Sequence, residues 1–493
     1  MASGHAVKEQ RGGEARARLA TIAARLGEVA GEPLAGELRQ LSSGASRDTY
    51  RFATAARGEL VAQLDRRGGK LGGGPPPQAA LLQAAARAGV PVAEVVAHGA
   101  GDPVLGDSWI VVQALPGTTD PRRILAGEGV PAASRLIDSI AAALAAVHRM
   151  PADEALAPAV SDSVGLLRDA HDRLGQPHPT FELAFRALAD GPPPGRRTFV
   201  HGDFRIGNLM VAPAGVSGVL DWELAHLGDP LEDLGWLCVP AWRFGRPDRP
   251  AAGLGTREQL VDAYARHAHL EVDRDALAWW ELAGTLRWGV ICVMQAFSHL
   301  SGAVRSIEHA VIGRRACEVE WDLLELLDPD GGGEHDRVGE HDPGGGEHDR
   351  MGDSASTHEP AADADFASAS SSLHDRPTAL ELIDAARSTL GDELLPAQEG
   401  RASFELRVTL RALGMVEREL RHGGAHRALR ASALASLGAA DEAELASAIR
   451  AGEWDGREAQ LYAALRSLVH AKLSVANPGY VEQIKTAAPK EAP

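Results

Sequence analysis

The sequence predicts an α+β fold in which a small β-rich region precedes a long helical region and a further, all-helical domain. From Leu38 the chain alternates short β-prone runs with small polar turns, whereas beyond residue 116 apolar residues recur mainly at helical spacing. A low-complexity stretch then separates the last helices from the rest. The expected divisions are 1–37 (lead-in helix), 38–115 (β-rich lobe), 116–328 (helical lobe), 329–374 (disordered linker) and 375–493 (helical domain).

The composition limits the classes of partner. The 493-residue chain carries 68 acidic and 50 basic residues, and its formal net charge of −18 disfavours nucleic acid and anionic membranes as partners. Its three cysteines lack paired spacing, which argues against a disulfide framework or a thiolate metal site. The N-terminus has no apolar core of a signal peptide, and no run of about 18 apolar residues occurs. We therefore expect a soluble, cytoplasmic protein.

The β-rich region begins after a helix. Residues 14–29 place Leu19, Ile22 and Leu26 on one helical stripe, which predicts that this helix packs on the β-rich region next to it. Between the first two strands lies a small-residue loop, Ser42 to Ser46. Because these side chains are small, the backbone N–H groups of the loop are able to approach a phosphate closely. An ordinary polar hairpin turn is an equally good interpretation of this loop.

The spacing of apolar residues predicts four further secondary-structure elements before residue 190. The pattern predicts a helix over 78–88, a buried strand over 108–115, and helices over 135–149 and 181–189. His148 lies near the end of the third of these elements. We expect it to be a hydrogen-bonded core histidine rather than a ligand.

A hairpin is predicted near the centre of the chain, because a turn with proline and glycine separates two β-prone runs, 208–212 and 217–221. If Ala212 pairs with Ser217, Asn208 lies directly opposite Asp221, with β-carbons roughly 4.5 to 5.5 Å apart. An amide oxygen and a carboxylate are suitable ligands for Mg²⁺. Asp203 precedes Asn208 on a loop and is expected to lie beside this metal without binding it.

The remaining patterns are helical. Asp229 as N-cap, Pro230 at N1 and Glu232 at N3 predict a helix start, so Asp229 is expected to cap rather than to catalyse. Longer helices are predicted over 257–269, 275–297 and 306–327. After the Gly-Glu-His-Asp repeats of the linker, four amphipathic helices predict a small bundle.

Three of these helices have clear local signals. Thr378 with Glu381 forms a capping box, Asp441 with Glu444 starts a second helix, and an apolar stripe over 404–420 marks a third.

Three motifs occur in order: HGDFRIGN at 201–208, LDWE at 220–223 and GDPLEDLG at 228–235. Together they resemble the aminoglycoside phosphotransferase and choline kinase-like family, whose fold is similar to that of protein kinases. The resemblance covers the chain from about Leu38 to about Asp328. It implies a bilobal, protein-kinase-like α+β fold for this part of the chain.

The resemblance also implies a function: transfer of a phosphoryl group from ATP, with Mg²⁺, to a hydroxyl group of a small molecule. Asp203 corresponds to the catalytic aspartate that accepts the proton of the hydroxyl group. Asn208 and Asp221 correspond to the two metal-binding positions.

The nucleotide site is implied by the same resemblance. The loop containing Ser43, Gly44 and Ser46 matches the turn that covers the phosphates. The segment from Gln113 to Leu115 matches the hinge that holds adenine by backbone hydrogen bonds, which makes 38–115 the nucleotide-binding lobe.

One departure concerns the phosphate-binding lysine, which kinases of this shape carry on the third strand, paired with a helix glutamate. That strand offers no lysine over residues 61–64, and Gln78 occupies the expected position of the glutamate. Arg47, Arg66 or Lys70 are the candidate replacements for the missing charge. A nucleotide-binding pseudokinase or scaffold is therefore an alternative to the enzyme.

Within the family, the sequence resembles the kinase-like domain attached to, or encoded beside, acyl-CoA dehydrogenases. That branch is associated with phosphorylating the hydroxyl of 4-hydroxy acids or of their CoA thioesters. The C-terminal helices resemble a small uncharacterised bacterial family that accompanies such kinases, which implies that this domain docks on the kinase domain. An antibiotic kinase is a further alternative; it predicts a strongly acidic substrate pocket, and acidic helices are not conspicuous beyond Gly235.

Overall fold

The computed structural model describes residues 2–43, 47–65, 78–329, 378–480 and 482, with the backbone alone for 2–15, 42 and 43. Gly44, Ser46, Arg66, Lys70 and residues 330–374 of the expected linker lie outside the described residues. Among the described helices, none combines the length and the apolar character that a membrane span requires.

The strands of the described chain are β1 (Arg39–Ser43), β2 (Arg47–Thr54), β3 (Gly58–Asp65), β4 (Val95–Asp102), β5 (Gly106–Gln113), β6 (Thr198–Val200), β7 (Leu209–Ala212), β8 (Gly215–Val219) and β9 (His226–Gly228). The α-helices are α1 (Ala2–Ala30), α2 (Gln78–Arg87), α3 (Pro121–Ala126), α4 (Ala133–His148), α5 (Ser163–Leu174), α6 (Pro179–Ala187), α7 (Leu231–Cys238), α8 (Arg257–Ala268), α9 (Arg274–Leu300), α10 (Ile307–Gly313), α11 (Ala316–Leu327), α12 (Ala379–Ser388), α13 (Gly400–Ser436), α14 (Glu442–Arg450) and α15 (Glu458–Ala476). Short 3₁₀ turns cover Ile206–Asn208, Pro240–Trp242 and Leu395–Ala397, and a π-helical turn covers Thr389–Leu394.

An antiparallel five-stranded sheet, in the order β1-β2-β3-β5-β4, dominates the N-terminal part. Strand alternation directs Tyr50, Phe52 and Leu60 to one face, where they pack with Ile22 and Leu26 of α1. Each such buried side chain stabilises the fold by about 1.5 to 3 kcal/mol. The predicted lead-in helix and the strands after it are confirmed.

Two small sheets lie in the part of the chain beyond residue 116, β6 with β9 and β7 with β8. The β7–β8 hairpin is tied to the segment after β5. Thr118 and Val211 exchange N–H···O bonds of 2.9 and 3.0 Å, and the Ser217 hydroxyl donates to the carbonyl of Pro116 at 2.6 Å. The strands of this region sit among helices, and the predicted α+β fold is confirmed.

The chain divides into two compact units: residues 1–163 with 191–284, and residues 164–190 with 285–493. Helices α5 and α6 thus belong with the C-terminal helices. In the second unit, α14 packs on α6 and α15 packs on α11. Trp321 and Leu324 of α11 share one hydrophobic cluster with Ile449, Leu461 and Leu465 of the C-terminal helices.

Two predicted helices have different bounds in the structure. The single helix expected over 306–327 is wrong, because it is broken into α10 and α11. The N–H groups of Arg314 and Arg315 bond to carbonyls three residues back, which tightens the chain into a turn. The stripe predicted over 404–420 belongs to a much longer helix, α13, and its Val416 and Leu420 are 46% and 50% exposed. The core contacts of α13 include Leu434, near its C-terminal end.

A buried histidine of α5 is expected to make stability depend on pH. His171 packs against the rings of Phe181 and Phe185, and burial, with the nearby His178, lowers the pKa of His171 from 6.5 to about 4. Between these values the unfolded chain binds a proton that the folded chain does not bind, so stability falls as pH falls from 6.5 towards 4. A pKa lowered from 6.5 to about 4 corresponds to about 3 kcal/mol of stability.

Urea unfolding of the wild type and of His171→Phe at pH 7 and pH 4.5 tests this expectation. The variant keeps a ring in the apolar site but cannot be protonated there. Its free energy of unfolding should therefore fall less than that of the wild type on acidification. An equal fall in both proteins would show that His171 does not carry the effect.

Candidate active site

The carboxylate of Asp203 lies at the centre of the candidate site, on the loop after β6. Its Oδ1 accepts hydrogen bonds from the indole Nε1 of Trp236 at 2.8 Å and from the Nε of Arg205 at 3.1 Å. Its Oδ2 accepts from the amide Nδ2 of Asn208 at 2.6 Å. Three donors therefore hold this carboxylate in one orientation.

A second, fully buried carboxylate holds the loop itself. Asp233 of α7 accepts the backbone N–H groups of His201 and Gly202 at 2.7 and 2.9 Å. It also bonds to His148 Nε2 at 3.2 Å, and the other ring nitrogen of His148 lies 2.7 Å from the Tyr264 hydroxyl. Burial acts to raise the pKa of Asp233, but the bonds and charges of His148 and His201 outweigh it, and the pKa is lowered. The prediction that His148 is a hydrogen-bonded core histidine is confirmed.

The backbone between His201 and Asp203 requires a glycine at position 202. Its φ is +80°, in the left-handed region, and a β-carbon at this position would lie 2.3 Å from the carbonyl oxygen of Leu224. A side chain is therefore excluded here by both conformation and space.

The hairpin differs from its predicted register. The expected pairing of Ala212 with Ser217 is wrong, because Ala212 pairs with Gly215 across a tighter turn and a bulge follows Met210. The partner of Asn208 across the hairpin is consequently Leu220, whose N–H donates to the carbonyl of Asn208 at 2.9 Å. Asp221 is the next residue along the chain.

Asp221 has a backbone φ of +60°, unusual for a residue other than glycine. Although Asp221 is an exposed residue, partial loss of water around its carboxyl group, followed by the charges of Glu223 and Asp203, raises its pKa to about 6, while Arg47 and Arg205 act in the opposite direction. Negative charge clustered in this way is relieved by a bound cation. Amide and carboxylate oxygens are suitable ligands for a divalent ion, so Asn208 and Asp221 stay the predicted metal-binding residues.

The start of helix α7 lies one residue later than predicted. Pro230 is its N-cap residue, while Asp229 accepts the N–H of Leu231 at 2.8 Å. Glu232 bonds to the ring of His226 at 3.0 Å instead of closing a capping box.

The predicted nucleotide-binding residues are described only in part. Gly44 and Ser46 lie outside the described residues, and Ser43, the last residue of β1, is described by its backbone. Gln113 ends β5, and its side-chain amide donates to the carbonyls of Arg57 and Glu59 at 3.1 and 2.9 Å.

Leu115 lies against β8. A β-carbon on Gly218 would lie 2.1 Å from the Leu115 Cδ1, so the small residue at 218 makes room for this side chain. The hinge segment is thus adjacent to the strand that leads to Asp221, and its role in holding adenine stays a prediction.

Three residues of the site, Arg205, Asp233 and Trp236, are missing from the sequence-based set. Arg205 lies inside the HGDFRIGN motif and Asp233 inside the GDPLEDLG motif, and these motifs are the signals that point to them. Trp236 follows the GDPLEDLG motif directly, but no spacing rule predicts that its indole donates to a carboxylate 33 positions away.

Two family models match parts of the chain. A model of the phosphotransferase enzyme family matches residues 37–270, which include the five-stranded sheet, the hinge and every side chain of the candidate site. A model of a domain of unknown function, DUF6285, matches residues 396–480.

One individual protein is similar to part of this chain. Acyl-CoA dehydrogenase family member 10 of Mus musculus is 29% identical over 223 residues, which is 41% of this chain and 20% of the mouse protein. This chain therefore spans about a fifth of the length of that relative.

Two of the solved structures that show some similarity to this chain are the following. A choline/ethanolamine kinase family protein from Mesorhizobium loti is 19% identical, with a TM-score of 0.44 and coverage of 64% of this chain and 94% of that chain. A thermostable mutant of an aminoglycoside phosphotransferase, in a ternary complex with AMP-PNP and hygromycin B, is 17% identical, with a TM-score of 0.42 and coverage of 61% and 97%.

The three motifs that carry the resemblance lie within the matched range. Asn208 donates to Asp203, and Asp233 accepts the backbone N–H of Gly202 on the same loop. The predicted accessory family is likewise confirmed by the match to the C-terminal helices. Residues 37–270 of this chain therefore resemble the phosphotransferase enzyme family, whose model matches them.

Proposed function

We propose that this protein transfers the γ-phosphoryl group of ATP, with Mg²⁺, to a hydroxyl group of a small molecule, with Asp203 as the catalytic base. The observation that carries the proposal is the orientation of the Asp203 carboxylate by Trp236, Arg205 and Asn208 within a domain of the phosphotransferase family. Asn208 and Asp221 are the proposed metal-binding residues.

Phosphoryl transfer asks the protein mainly for positioning and for charge stabilisation. The substrate hydroxyl gives its proton to Asp203 as its oxygen bonds to the γ-phosphorus, and the bond to the β–γ bridging oxygen breaks to release ADP. Bound Mg²⁺ supplies positive charge to the phosphate oxygens. The three donors on Asp203 keep its carboxylate in place without a reorganisation step.

For nucleotide binding, we propose that the turn containing Ser43, Gly44 and Ser46 covers the phosphates. The hinge from Gln113 to Leu115 would hold the adenine. The backbone N–H groups of Gln113 and Ala114 already bond to the carbonyls of Glu94 and Glu59. The contacts to adenine are therefore expected to involve the remaining polar groups of this segment.

We further propose a 4-hydroxy acid or a hydroxyacyl-CoA as the substrate. The support is the similarity to the kinase-like branch associated with acyl-CoA dehydrogenases, together with a relative that is named as a member of that dehydrogenase family. A coupled assay of ADP release across hydroxyacyl-CoAs, free 4-hydroxy acids, choline-like alcohols and aminoglycosides tests the proposal. Turnover of aminoglycosides alone would favour an antibiotic kinase.

A pseudokinase is the second candidate, favoured by a specific contact. Gln63 and Gln78 bond to each other where kinases of this shape carry the lysine and glutamate pair. ATP binding that does not require Mg²⁺, without turnover of any member of the panel, would support this alternative.

The C-terminal helices are the proposed internal partner of the kinase domain. Arg450 of α14 lies 2.5 Å from Asp172 and 2.9 Å from the buried Glu182, and Lys472 of α15 lies 2.9 Å from the buried Glu320. Helices α14 and α15 lie in the match at 396–480, α5 and α6 lie in the match at 37–270, and α11 lies between the two matches. We propose that the C-terminal domain docks on α6 and α11 and supports the kinase from there.

Cleavage of the linker tests this docking. A protease site inserted near Gly345 should yield two folded pieces that co-elute in gel filtration. Lys472→Met should weaken their association by roughly 100-fold, because it leaves Glu320, 2% exposed as a side chain, buried without its cation.

The matched control is Arg430→Met, because Arg430 pairs with Glu442 entirely within the C-terminal helices. This variant should associate as the wild type does. Separate elution of the wild-type pieces, with full activity in the N-terminal piece, would refute the accessory role.

A further inference from the structure

The third strand of the sheet carries a neutral contact where a charged pair is expected. The Oε1 of Gln63, on β3, accepts a hydrogen bond from the Nε2 of Gln78, the first residue of α2, at 3.0 Å. In kinases the strand lysine binds the α- and β-phosphates, and a helix glutamate holds that lysine. Two amides are able to join helix to strand, but they bring no positive charge to a phosphate chain.

A cation lies on the same face of the sheet, one strand away. Arg47 begins β2 opposite Asp65, and Thr49 lies opposite Gln63. Because side chains alternate along a strand, Arg47 and Gln63 point to the face opposite the apolar cluster of Tyr50 and Leu60. Arg47 thus lies beside the position that the missing lysine would occupy.

The contacts of Arg47 suit a phosphate ligand. Its Nε donates to the Asp65 carboxylate at 2.7 Å, and its side chain is 16% exposed. This bond orients the guanidinium group through Nε, and among the described residues its two terminal nitrogens have no further hydrogen-bond acceptor. A guanidinium group held in this way matches two phosphate oxygens at once.

Arg205 has a different role from Arg47. Arg205 donates to Asp203 at 3.1 Å and stacks over the Trp242 ring at 4.9 Å, so it belongs to the catalytic loop. Arg47 acts from the sheet, which is the side on which the nucleotide phosphates lie in a kinase-like fold.

We infer that Arg47, oriented by Asp65, binds the phosphate chain of the nucleotide in place of the strand lysine. The Gln63–Gln78 amide pair then acts as an uncharged link that holds α2 on the sheet. This inference rests on the proposed phosphotransferase function. It assigns the missing charge to one of the three cations that the sequence leaves open.

Isothermal titration of the full-length protein with MgATP and with adenosine tests the assignment. Arg47→Gln should weaken ATP binding by roughly 10- to 100-fold, the loss typical of a charged hydrogen bond, and should leave adenosine binding within about threefold. Arg51→Gln is the matched control, because Arg51 lies on the same strand in an exposed pair with Glu59. This control should bind both ligands as the wild type does.

Different results would refute the proposed phosphotransferase function and the inference about Arg47. A wild type that binds neither MgATP nor adenosine would refute the proposed function together with this inference. A wild type that binds MgATP while Arg47→Gln binds it equally well would refute the inference alone. An equal loss of ATP and adenosine binding would also refute it, because the defect would then not concern the phosphates.

A rescue experiment separates the charge from the fold. In the Arg47→Gln background, the further changes Gln63→Lys and Gln78→Glu restore the usual ion pair beside the vacated position. The triple variant should bind ATP at least tenfold more tightly than Arg47→Gln does. Its melting temperature should be near that of Arg47→Gln. A folded triple variant without any regain would show that the contribution of Arg47 is not phosphate binding.

Discussion

Replacement of Asp203 by asparagine is expected to lower kcat by about 10²- to 10⁴-fold, because the proposed base can no longer accept the proton of the substrate hydroxyl. The amide is isosteric with the carboxylate and still offers one oxygen to the Trp236 indole, which now donates at 2.8 Å. The loop should therefore keep its conformation. Steady-state ADP release with the best substrate of the panel measures the effect, and KM for ATP should change little.

Two controls separate the chemistry from the fold. Asp107→Asn changes an exposed aspartate of β5 and should keep full activity. Trp236→Phe removes one donor to Asp203 but keeps an aromatic ring, and we expect a loss of roughly tenfold, typical of one hydrogen bond to a charged group. A folded Asp203→Asn protein with at least a third of wild-type kcat would contradict the role of base.

Replacement of Asp233 by alanine is expected to destabilise the protein by about 3 to 5 kcal/mol, the range for removing one member of a buried charged network. Asp233 is fully buried, and the N–H groups of His201 and Gly202 would lose their acceptor. His148 would lose its partner as well. Urea unfolding at pH 7 gives the free energy, and activity should fall because Asp203 lies on the same loop.

The conservative variant Asp233→Asn should lose less stability, since its amide oxygen still accepts one of the two backbone N–H groups. Asp262→Ala, at an exposed position of α8, should be within about 0.5 kcal/mol of the wild type. If Asp233→Ala unfolded at the same urea concentration as the wild type, the buried carboxylate would not be the group that holds the loop of Asp203.

Local signals in the sequence determined several features of this protein. The capping box of Thr378 with Glu381 and the cap formed by Asp441 depend on contacts within four residues, and both are present. The apolar spacing of α1 and of α4 likewise predicts their buried faces. The order of the three motifs was sufficient to predict the family, because each motif is contiguous and the family match covers them all.

Only the tertiary structure decided which distant groups meet. The register of β7 and β8 depends on a bulge, and one residue of shift changes the partner of Asn208. The bond from Trp236 to Asp203, the buried anchor at Asp233 and the pairing of Gln63 with Gln78 join residues far apart along the chain. No periodicity predicts such contacts, because they are set by how separate elements pack and by the need to pair polar groups removed from water.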